Sequence, residues 1–317
     1  WNSLLHILDQ IATMTTDKDK AIDTYYHIAS IFSSNLGNVA KSIEPLTHII
    51  ELDPTQRKAL RQLHEFYEQR NSWQNLYDIL AKEAAVAEDA EKIELLKRQA
   101  NIAERNLKST EKAIESWEAV SASLEDPSEA LEELARLYTH EHNSEALLSV
   151  YKRRLNVAHN VEERIDTLRQ IATLYLDRLD RRDDAIATYR EMLTIDEGRD
   201  DALSELTLLY ASSKSWDDLV ALYIELGNCT QIYDLLDVKA SDCENDEERM
   251  ALYARMATVA EENLNDADMA IAALEKILSV DPKHETTARR LLAYYSDRGE
   301  HAKAISMHEI LLGLTEN

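Results

Sequence analysis

The sequence predicts an all-α fold, a solenoid of stacked antiparallel helix hairpins. Small or aliphatic residues recur in equivalent settings at spacings of 38, 34, 37, 34, 38, 34, 51 and 34 residues. These repeat positions are Leu4, Ser42, Leu76, Ala113, Leu147, Ala185, Leu219, Ala270 and Ala304. The 317 residues include only five glycines and four prolines, too few turn residues for most β-rich folds. Because a unit of this size cannot bury its apolar face alone, neighbouring hairpins must share one core.

Two kinds of hairpin alternate along the chain. In the longer kind an alanine stands 13 residues before the repeat position, at Ala29, Ala100, Ala172 and Ala257. In the shorter kind a tyrosine stands nine residues before it, at Tyr67, Tyr138, Tyr210 and Tyr295. Three repeat positions are also preceded, three residues earlier, by a tryptophan: Trp1, Trp73 and Trp216. Small residues let the two helices of a hairpin approach closely, and a tryptophan supplies packing area at the corner.

This pattern resembles the tetratricopeptide repeat, a 34-residue helix–turn–helix with small residues at two helix contacts and a proline after the second helix. Asp-Pro pairs at 53–54, 126–127 and 281–282 lie at or near that proline position, whereas Asp196 is followed by Glu197. The resemblance covers essentially the whole chain and is to long arrays of the bacterial type. It implies a single right-handed superhelical solenoid over residues 1–317. The longer hairpins and the scarcity of glycine depart from the family pattern.

Local signals set the expected helix ends. Asp53, Asp126 and Asp281 are expected to cap helices that carry a proline in the first turn. Pro45 falls inside a predicted helix from about 38 to 51, where its missing N–H predicts a kink. Trp1 stands where a second helix begins, so we expect an apolar face there without a hairpin partner. We expect the same at the C-terminal helix, as in a fragment of a longer array or in an array whose ends another chain covers.

The repeat breaks between Leu219 and Ala270, where the spacing of 51 exceeds the usual value by 14 residues. Gly227 and Asn228 should stop a helix. Apolar residues at helical spacing follow, and an acidic run comes after them. The sequence therefore predicts an inserted element at 229–242, helical from about 229 to 240.

The inserted element is a candidate binding surface, because insertions in solenoids lie on one face and often carry function. Its candidate residues are Cys229, Tyr233 and Cys243. A neutral decoration of the solenoid is the alternative. The two cysteines are the only ones in the chain, and both a disulfide and two free thiols remain open.

Charge restricts the partners of this chain. Its formal net charge is -25, which repels nucleic acid and anionic membrane surfaces, and no apolar run approaches the length of a membrane span. The expected partner is a protein or peptide, with the chain as one subunit of a larger complex, and neither nucleic-acid binding nor direct membrane insertion is expected. A cytoplasmic location is expected, or a periplasmic or secreted one if a signal precedes Trp1.

Motifs that would indicate catalysis are missing from the sequence. It contains no phosphate-binding glycine loop, no HExxH and no CxxC pair. His140 and His142 flank Glu141 at a predicted hairpin tip, where a solvated turn is the simpler interpretation than a metal site. We therefore expect a non-enzymatic protein without a cofactor or a catalytic residue.

In the resembled family, the first helix of each hairpin lines a concave groove that holds a peptide or a partner helix. Carried over to this chain, the partner-binding candidates are Tyr26, His27, Lys58, Arg61, Lys97, Arg98, Asn101, Arg105, Arg136 and Arg169. A basic island of five of them could hold an acidic peptide or a terminal carboxylate: Lys58, Arg61, Lys97, Arg98 and Arg105. The alternative is that these cations pair with Glu65, Glu94 and Glu104.

The resemblance therefore favours a protein-interaction scaffold that binds a partner in its groove and through its uncapped ends. Lys97 and Asn101 echo the carboxylate-clamp subtype of the family, but Glu129 stands in the next hairpin where further basic or amide groups are needed. The second hypothesis is a regulatory or sensor module that binds a small ligand or a signalling peptide near the inserted element.

Overall fold

The computed structural model describes residues 1–196 and 198–315. These residues form eighteen α-helices and contain no β-strand. In chain order the helices are α1 Asn2–Met14, α2 Lys18–Ser30, α3 Ile43–Leu52, α4 Arg57–Gln69, α5 Trp73–Val86, α6 Asp89–Arg105, α7 Thr110–Ser123, α8 Ser128–His140, α9 Ser144–Val157, α10 Val161–Asp177, α11 Arg182–Ile195, α12 Asp200–Ser212, α13 Trp216–Glu225, α14 Cys229–Ser241, α15 Asp246–Val259, α16 Ala267–Val280, α17 Glu285–Asp297 and α18 His301–Thr315. The all-α prediction is confirmed.

The chain divides into two compact units, Trp1–Arg181 and the residues from Arg182 onward. In the first unit, α1 to α10 each pack on the helices that precede and follow them in the chain. The same holds for α11 to α18 within the second unit. Short connections between neighbouring helices give antiparallel hairpins. One continuous solenoid over residues 1–317 stays a prediction.

The repeat positions form the centre of each hairpin contact. Eight of the nine are buried: Ser42, Leu76, Ala113, Leu147, Ala185, Leu219, Ala270 and Ala304. Leu4 differs, with 40% of its surface exposed, because α1 packs on α2 through Leu5 and Ala12. The equivalence of Leu4 with the other repeat positions therefore extends to sequence but not to burial.

A residue in the left-handed conformation closes each turn between the helices of a short hairpin. Asn71 has φ 53° and His142 φ 55°, and the residue after each donates its N–H to the carbonyl of the tyrosine five positions earlier. Among the short hairpins of this chain, glycine occupies this position in one, at Gly299, with φ 70°. Polar residues tolerate this conformation, which is why the turns need little glycine.

Two longer hairpins place their additional residues in a widened helical turn. A π-helical turn at Ile31–Asn35 follows α2, and another at Ala260–Leu264 follows α15. Such turns are often found at functional sites. The turn after α2 borders a candidate site in the first unit, described below.

The Asp-Pro pairs lie in the turns between hairpins, and the prediction that these aspartates cap helices is wrong. The carboxylates of Asp53, Asp126 and Asp281 instead accept the backbone N–H two residues ahead, at 3.1, 3.0 and 3.0 Å. The following helices begin only after these turns, α4 at Arg57 and α17 at Glu285. Because each aspartate accepts the N–H just past its proline, the proline lies before the first helical residue, which for α8 is Ser128.

Pro45 does not bend a longer helix. A 3₁₀ turn at Val39–Ser42 comes first, and α3 begins at Ile43, so Pro45 is its third residue. A backbone N–H in the first turn has no partner within the helix, and proline therefore loses nothing there. The helix therefore starts at Ile43, later than the sequence predicts, and the predicted kink at Pro45 is wrong.

Candidate functional site

The basic residues of the first helices mostly pair with carboxylates of the neighbouring first helix. Arg61 Nη2 on α4 lies 2.7 Å from Glu91 Oε1 on α6. Lys97 Nζ on α6 lies 2.7 Å from Glu129 Oε2 on α8, and Arg98 on α6 pairs with Glu68 on α4. Arg136 on α8 reaches back to Glu104 on α6 at 2.7 Å. These pairs connect residues about 30 positions apart, and therefore tie one hairpin to the next.

The partners of the basic island are not those named from the sequence. Glu68, Glu91 and Glu129 take the roles expected for Glu65, Glu94 and Glu104. The hydrogen bond to Arg136 lowers the pKa of the Glu104 carboxyl. The sequence indicated charge neutralisation in this region, but the partners depend on the stacking of the hairpins.

The remaining candidates of the first unit are distributed along its helices. Asn101 donates to the carbonyl of Lys97 at 3.0 Å, within its own helix, and Arg169 pairs with Asp166 at 2.6 Å. Arg105 is the last residue of α6, and His27 is exposed on α2. With Lys97 paired to Glu129 and the Asn101 amide bonded locally, these two residues do not form a ready carboxylate clamp.

A cavity of about 300 Å³ lies between α2 and α4, and we call it the α2–α4 cavity. Lys58 Nζ stands 4.8 Å from the centre of the Tyr26 ring at this site. The Tyr26 hydroxyl donates to Gln56 at 3.4 Å, and burial raises its pKa. The residues lining the cavity are Tyr26, Ala29, Ser30, Ser33, Ser34, Val39, Ser42, Leu46, Lys58, Gln62, Glu65, Phe66 and Gln69.

The sequence analysis did not identify some of the residues that line the α2–α4 cavity. Ser33 and Ser34 belong to the π-helical turn, and Gln69 is the last residue of α4. The spacing of 58, 62, 65 and 69 places four polar side chains on one stripe of α4, which is a detectable signal. Nothing local indicates that the π-helical turn faces this stripe.

A buried polar contact between α4 and α5 was also missed. His64 Nδ1 lies 2.7 Å from Glu83 Oε2, and Glu83 is only 6% exposed. Arg61 Nε lies 3.9 Å from the other carboxylate oxygen. Glu83 stands between Leu80 and Ala84 on an apolar face, and this pattern of a lone acid among core residues is the available sequence signal.

The inserted element is a regular second helix, α14, which starts at Cys229 and ends at Ser241. Ile232 is fully buried and lies 38 residues before Ala270, a spacing found twice elsewhere in the repeat. The Tyr233 hydroxyl donates to the Met269 carbonyl at 2.9 Å, as the Tyr77 hydroxyl donates to the Lys112 carbonyl at 3.2 Å. Ile232 is therefore a further repeat position.

A salt bridge between second helices repeats in the same register. Lys276 pairs with Asp237, which stands five residues after Ile232. In the first unit Arg153 lies 2.8 Å from Glu118, five residues after Ala113. The spacing of 51 thus resolves into 13 plus 38.

The connection from α13 to α14 is the standard hairpin turn. Gly227 has φ 71°, and Asn228 donates its N–H to the Tyr223 carbonyl at 2.8 Å. Ser215 donates to the Tyr210 carbonyl at 2.9 Å in the turn before it. Helix α13 is therefore the second helix of one hairpin and the first helix of the next.

The cysteines of this segment are free thiols, and both are partly exposed. Cys229 opens α14, and Cys243 follows it. Burial raises the pKa of the Tyr233 hydroxyl, and nearby Asp237, Asp234 and Asp266 raise it further. The structure brings Tyr233 into the packing of the array and leaves the cysteines at its edge. A ligand-binding role of this segment stays a prediction.

Within residues 1–196 and 198–315, no three His, Cys, Asp or Glu side chains come together as a possible metal site. None of the helices in this part of the chain is both long enough and apolar enough to cross a bilayer.

The stacked hairpins define the class of this molecule as a helical-repeat protein. Two of its segments match family models described as tetratricopeptide repeat, residues 130–165 and residues 251–284. The first covers the short hairpin α8–α9, and the second covers the long hairpin α15–α16. The chain therefore contains tetratricopeptide repeats, and proteins built from such repeats are in general non-enzymatic modules that bind proteins or peptides.

Solved structures with a similar arrangement are distant in sequence. The tetratricopeptide repeat domain of P58(IPK) is 14% identical, and the match covers 97% of this chain and 92% of that chain with a TM-score of 0.32. The MamA protein is 16% identical over 54% of this chain and 89% of its own, with a TM-score of 0.31. The C-terminal part of a repeat-containing protein from Cytophaga hutchinsonii is 11% identical over 83% and 97%, with a TM-score of 0.31. No curated protein sequence matches the chain significantly.

Proposed function

We propose that this chain is a non-enzymatic interaction scaffold that binds a partner protein or peptide along the first helices of its hairpins. The observation that carries the proposal is the α2–α4 cavity, where polar side chains of two first helices and a π-helical turn face one space. Ion pairs between neighbouring first helices hold the surface beside it in one arrangement. A surface that is already ordered loses less conformational entropy when it binds.

We also propose that α1 contacts another subunit of a larger assembly. Five apolar side chains on this helix are exposed: Trp1, Leu4, Ile7, Ile11 and Met14. Their spacing of three or four residues places them on one helical face. An exposed contiguous apolar stripe is typical of a protein interface.

Site-specific photo-crosslinking of the full chain tests the groove proposal. A photoreactive amino acid is placed at Gln62 or Asn101 on first helices, and at Lys82 or Glu115 on second helices as matched exposed controls. With extract from the source cells, we expect crosslinked partners from the first-helix positions and none from the controls. Equal crosslinking from both sets, or crosslinking from the second helices alone, contradicts the proposal.

A further inference from the structure

Two opposite charges on α4 stand apart from the ion pairs of the first helices. Within the described residues, Lys58 has no carboxylate partner and Glu65 has no cationic partner, whereas Arg61, between them in sequence, is paired with Glu91. Lys58 instead lies against the Tyr26 ring, and its ammonium keeps donors available for a ligand. Both Lys58 and Glu65 line the α2–α4 cavity.

The two charges are separated along one face of the helix. Seven residues at 1.5 Å rise place them roughly 10 Å apart along α4. Gln62 lies between them and Gln69 beyond them on the same stripe, and both line the cavity. The cavity therefore has a positive end, an amide centre and a negative end.

The other polar groups of the cavity suit a peptide main chain. Ser30 and Ser34 face α4 across the cavity, and neither their hydroxyls nor the amides of Gln62 and Gln69 have a hydrogen-bond partner in the described part of the chain. Hydroxyls and amides both donate and accept, as peptide N–H and carbonyl groups require. Tyr26 and Phe66 add aromatic surface for apolar atoms.

We infer that the α2–α4 cavity binds an extended peptide segment with an acidic and a basic residue three positions apart. The inference rests on the proposed function and names the class of ligand. In polyproline-II geometry, residues three apart lie on the same side of the chain about 9 Å from each other, which matches the separation of the two charges. The acidic side chain pairs with Lys58, the basic side chain pairs with Glu65, and the amides contact the peptide backbone.

A simple anion fits this cavity less well. One ammonium is available, and Glu65 opposes a second negative charge in the same space. A phosphate or a terminal carboxylate would use Lys58 and leave Glu65 unpaired, whereas the mixed peptide uses both.

Fluorescence anisotropy with the full chain tests the inference. The probes are fluorescein-labelled hexapeptides held extended by proline: Pro-Glu-Pro-Pro-Lys-Pro, its Glu/Glu and Lys/Lys forms, and Pro-Glu-Lys-Pro-Pro-Pro with adjacent charges. We expect the first peptide to bind most tightly to the native chain. Lys58→Glu should weaken its binding by about fivefold or more and make the Lys/Lys form the preferred ligand, since an exposed attraction becomes a repulsion. Glu65→Lys should make the Glu/Glu form the preferred ligand.

Matched variants keep the outcome unambiguous. Lys82→Glu and Glu94→Lys make the same changes in net charge at exposed positions outside the cavity, and should leave the preference unchanged. The inference is overturned if the native chain does not prefer mixed charges, or if Lys58→Glu behaves as Lys82→Glu does. If the inference is overturned in this way, partner crosslinks from Asn101, which lies outside the cavity, would still support the proposed function. The absence of partner crosslinks from Asn101 would count against the proposed function itself.

Discussion

At the residue scale, the charged side chains of the first helices hold neighbouring hairpins in register. Arg136 is bonded to Glu104 on the preceding first helix and to Glu133 on its own. Exposed pairs of this kind contribute little stability individually, in the range of ~0–1 kcal/mol. Their effect is to fix the positions of side chains on the surface that we propose binds a partner.

The buried pair of His64 and Glu83 should contribute more than the exposed pairs. In a His64→Ala variant, the Glu83 carboxylate loses its donor at 2.7 Å and keeps only Arg61 Nε at 3.9 Å. We expect the free energy of unfolding to fall by about 1–3 kcal/mol, the usual cost of an unsatisfied buried polar group. Urea denaturation followed by circular dichroism measures the change. His140→Ala, at a side chain that is 78% exposed, is the control and should leave the midpoint nearly unchanged.

The turn at Asp53 gives the chain a defined acid sensitivity. The side-chain amide of Gln56 and the hydroxyl and N–H of Thr55 donate to this carboxylate and lower its pKa from 3.8 to about 2. A lowered folded-state pKa stabilises the protein above the unfolded value, and the stabilisation is lost as the pH falls through the folded value. We therefore expect the native chain to melt at a higher temperature than Asp53→Asn above pH 4, and this difference to shrink between pH 4 and pH 2.

Thermal melting of both proteins across this pH range measures the difference. In a Gln56→Ala background the pKa of Asp53 should move back toward its ordinary value, and the pH dependence should become weaker. A difference that stays constant from pH 5 to pH 2 would show that the Asp53 carboxylate does not act through its ionisation.

At the scale of the element, the insertion is one additional helix in an otherwise regular series. Residues 215–219 read Ser-Trp-Asp-Asp-Leu, and residues 233–236 read Tyr-Asp-Leu-Leu. Joined together, they closely reproduce residues 72–80, Ser-Trp-Gln-Asn-Leu-Tyr-Asp-Ile-Leu, at the start of α5. The added 13 residues therefore lie in frame between two halves of a standard second helix.

Deletion of residues 220–232 should yield a folded protein. The deletion joins Leu219 to Tyr233 and restores a spacing of 38 residues to Ala270. We expect α13 and α14 to fuse into one helix that packs as α5 does, because the buried residues keep their helical register. Circular dichroism and the cooperativity of thermal unfolding measure the result.

A deletion of seven residues, 220–226, is the matched control for register. It brings Tyr233 to a position seven residues after Leu219, whereas in the second-helix pattern the tyrosine directly follows the repeat position, as Tyr77 follows Leu76. This shorter deletion should disrupt packing more than the longer one. If the 13-residue deletion is the more damaging of the two, the register assigned to α14 is wrong.

At the scale of the whole molecule, the net charge of -25 separates this chain from helical-repeat proteins that bind RNA. RNA recognition requires a basic surface, since it depends on neutralising phosphates. We therefore expect no retention of single-stranded RNA in a filter-binding assay at low salt, where attraction between opposite charges is strongest. Salt-sensitive retention would contradict the assignment of a protein or peptide as the partner.

The sequence by itself determined the hairpin repeat, the alternation of long and short hairpins and the acidic surface. Periodic positions such as Leu76 and Ala113 reveal these features because helix packing repeats at short range along the chain. The turn conformation at Asn71 is also local, although it uses asparagine where glycine is more common.

Only the tertiary structure decided which charges meet, where the additional helix fits and which side chains share the α2–α4 cavity. Arg61 meets Glu91 and Tyr233 meets Met269 across 30 and 36 residues, because stacking places distant segments side by side. Lys58 and Glu65 are ordinary helix-surface charges in the sequence. That neither has an ionic partner among the residues that the structure describes emerges only when the neighbouring hairpins are in place, since pairing depends on distances that no local pattern encodes.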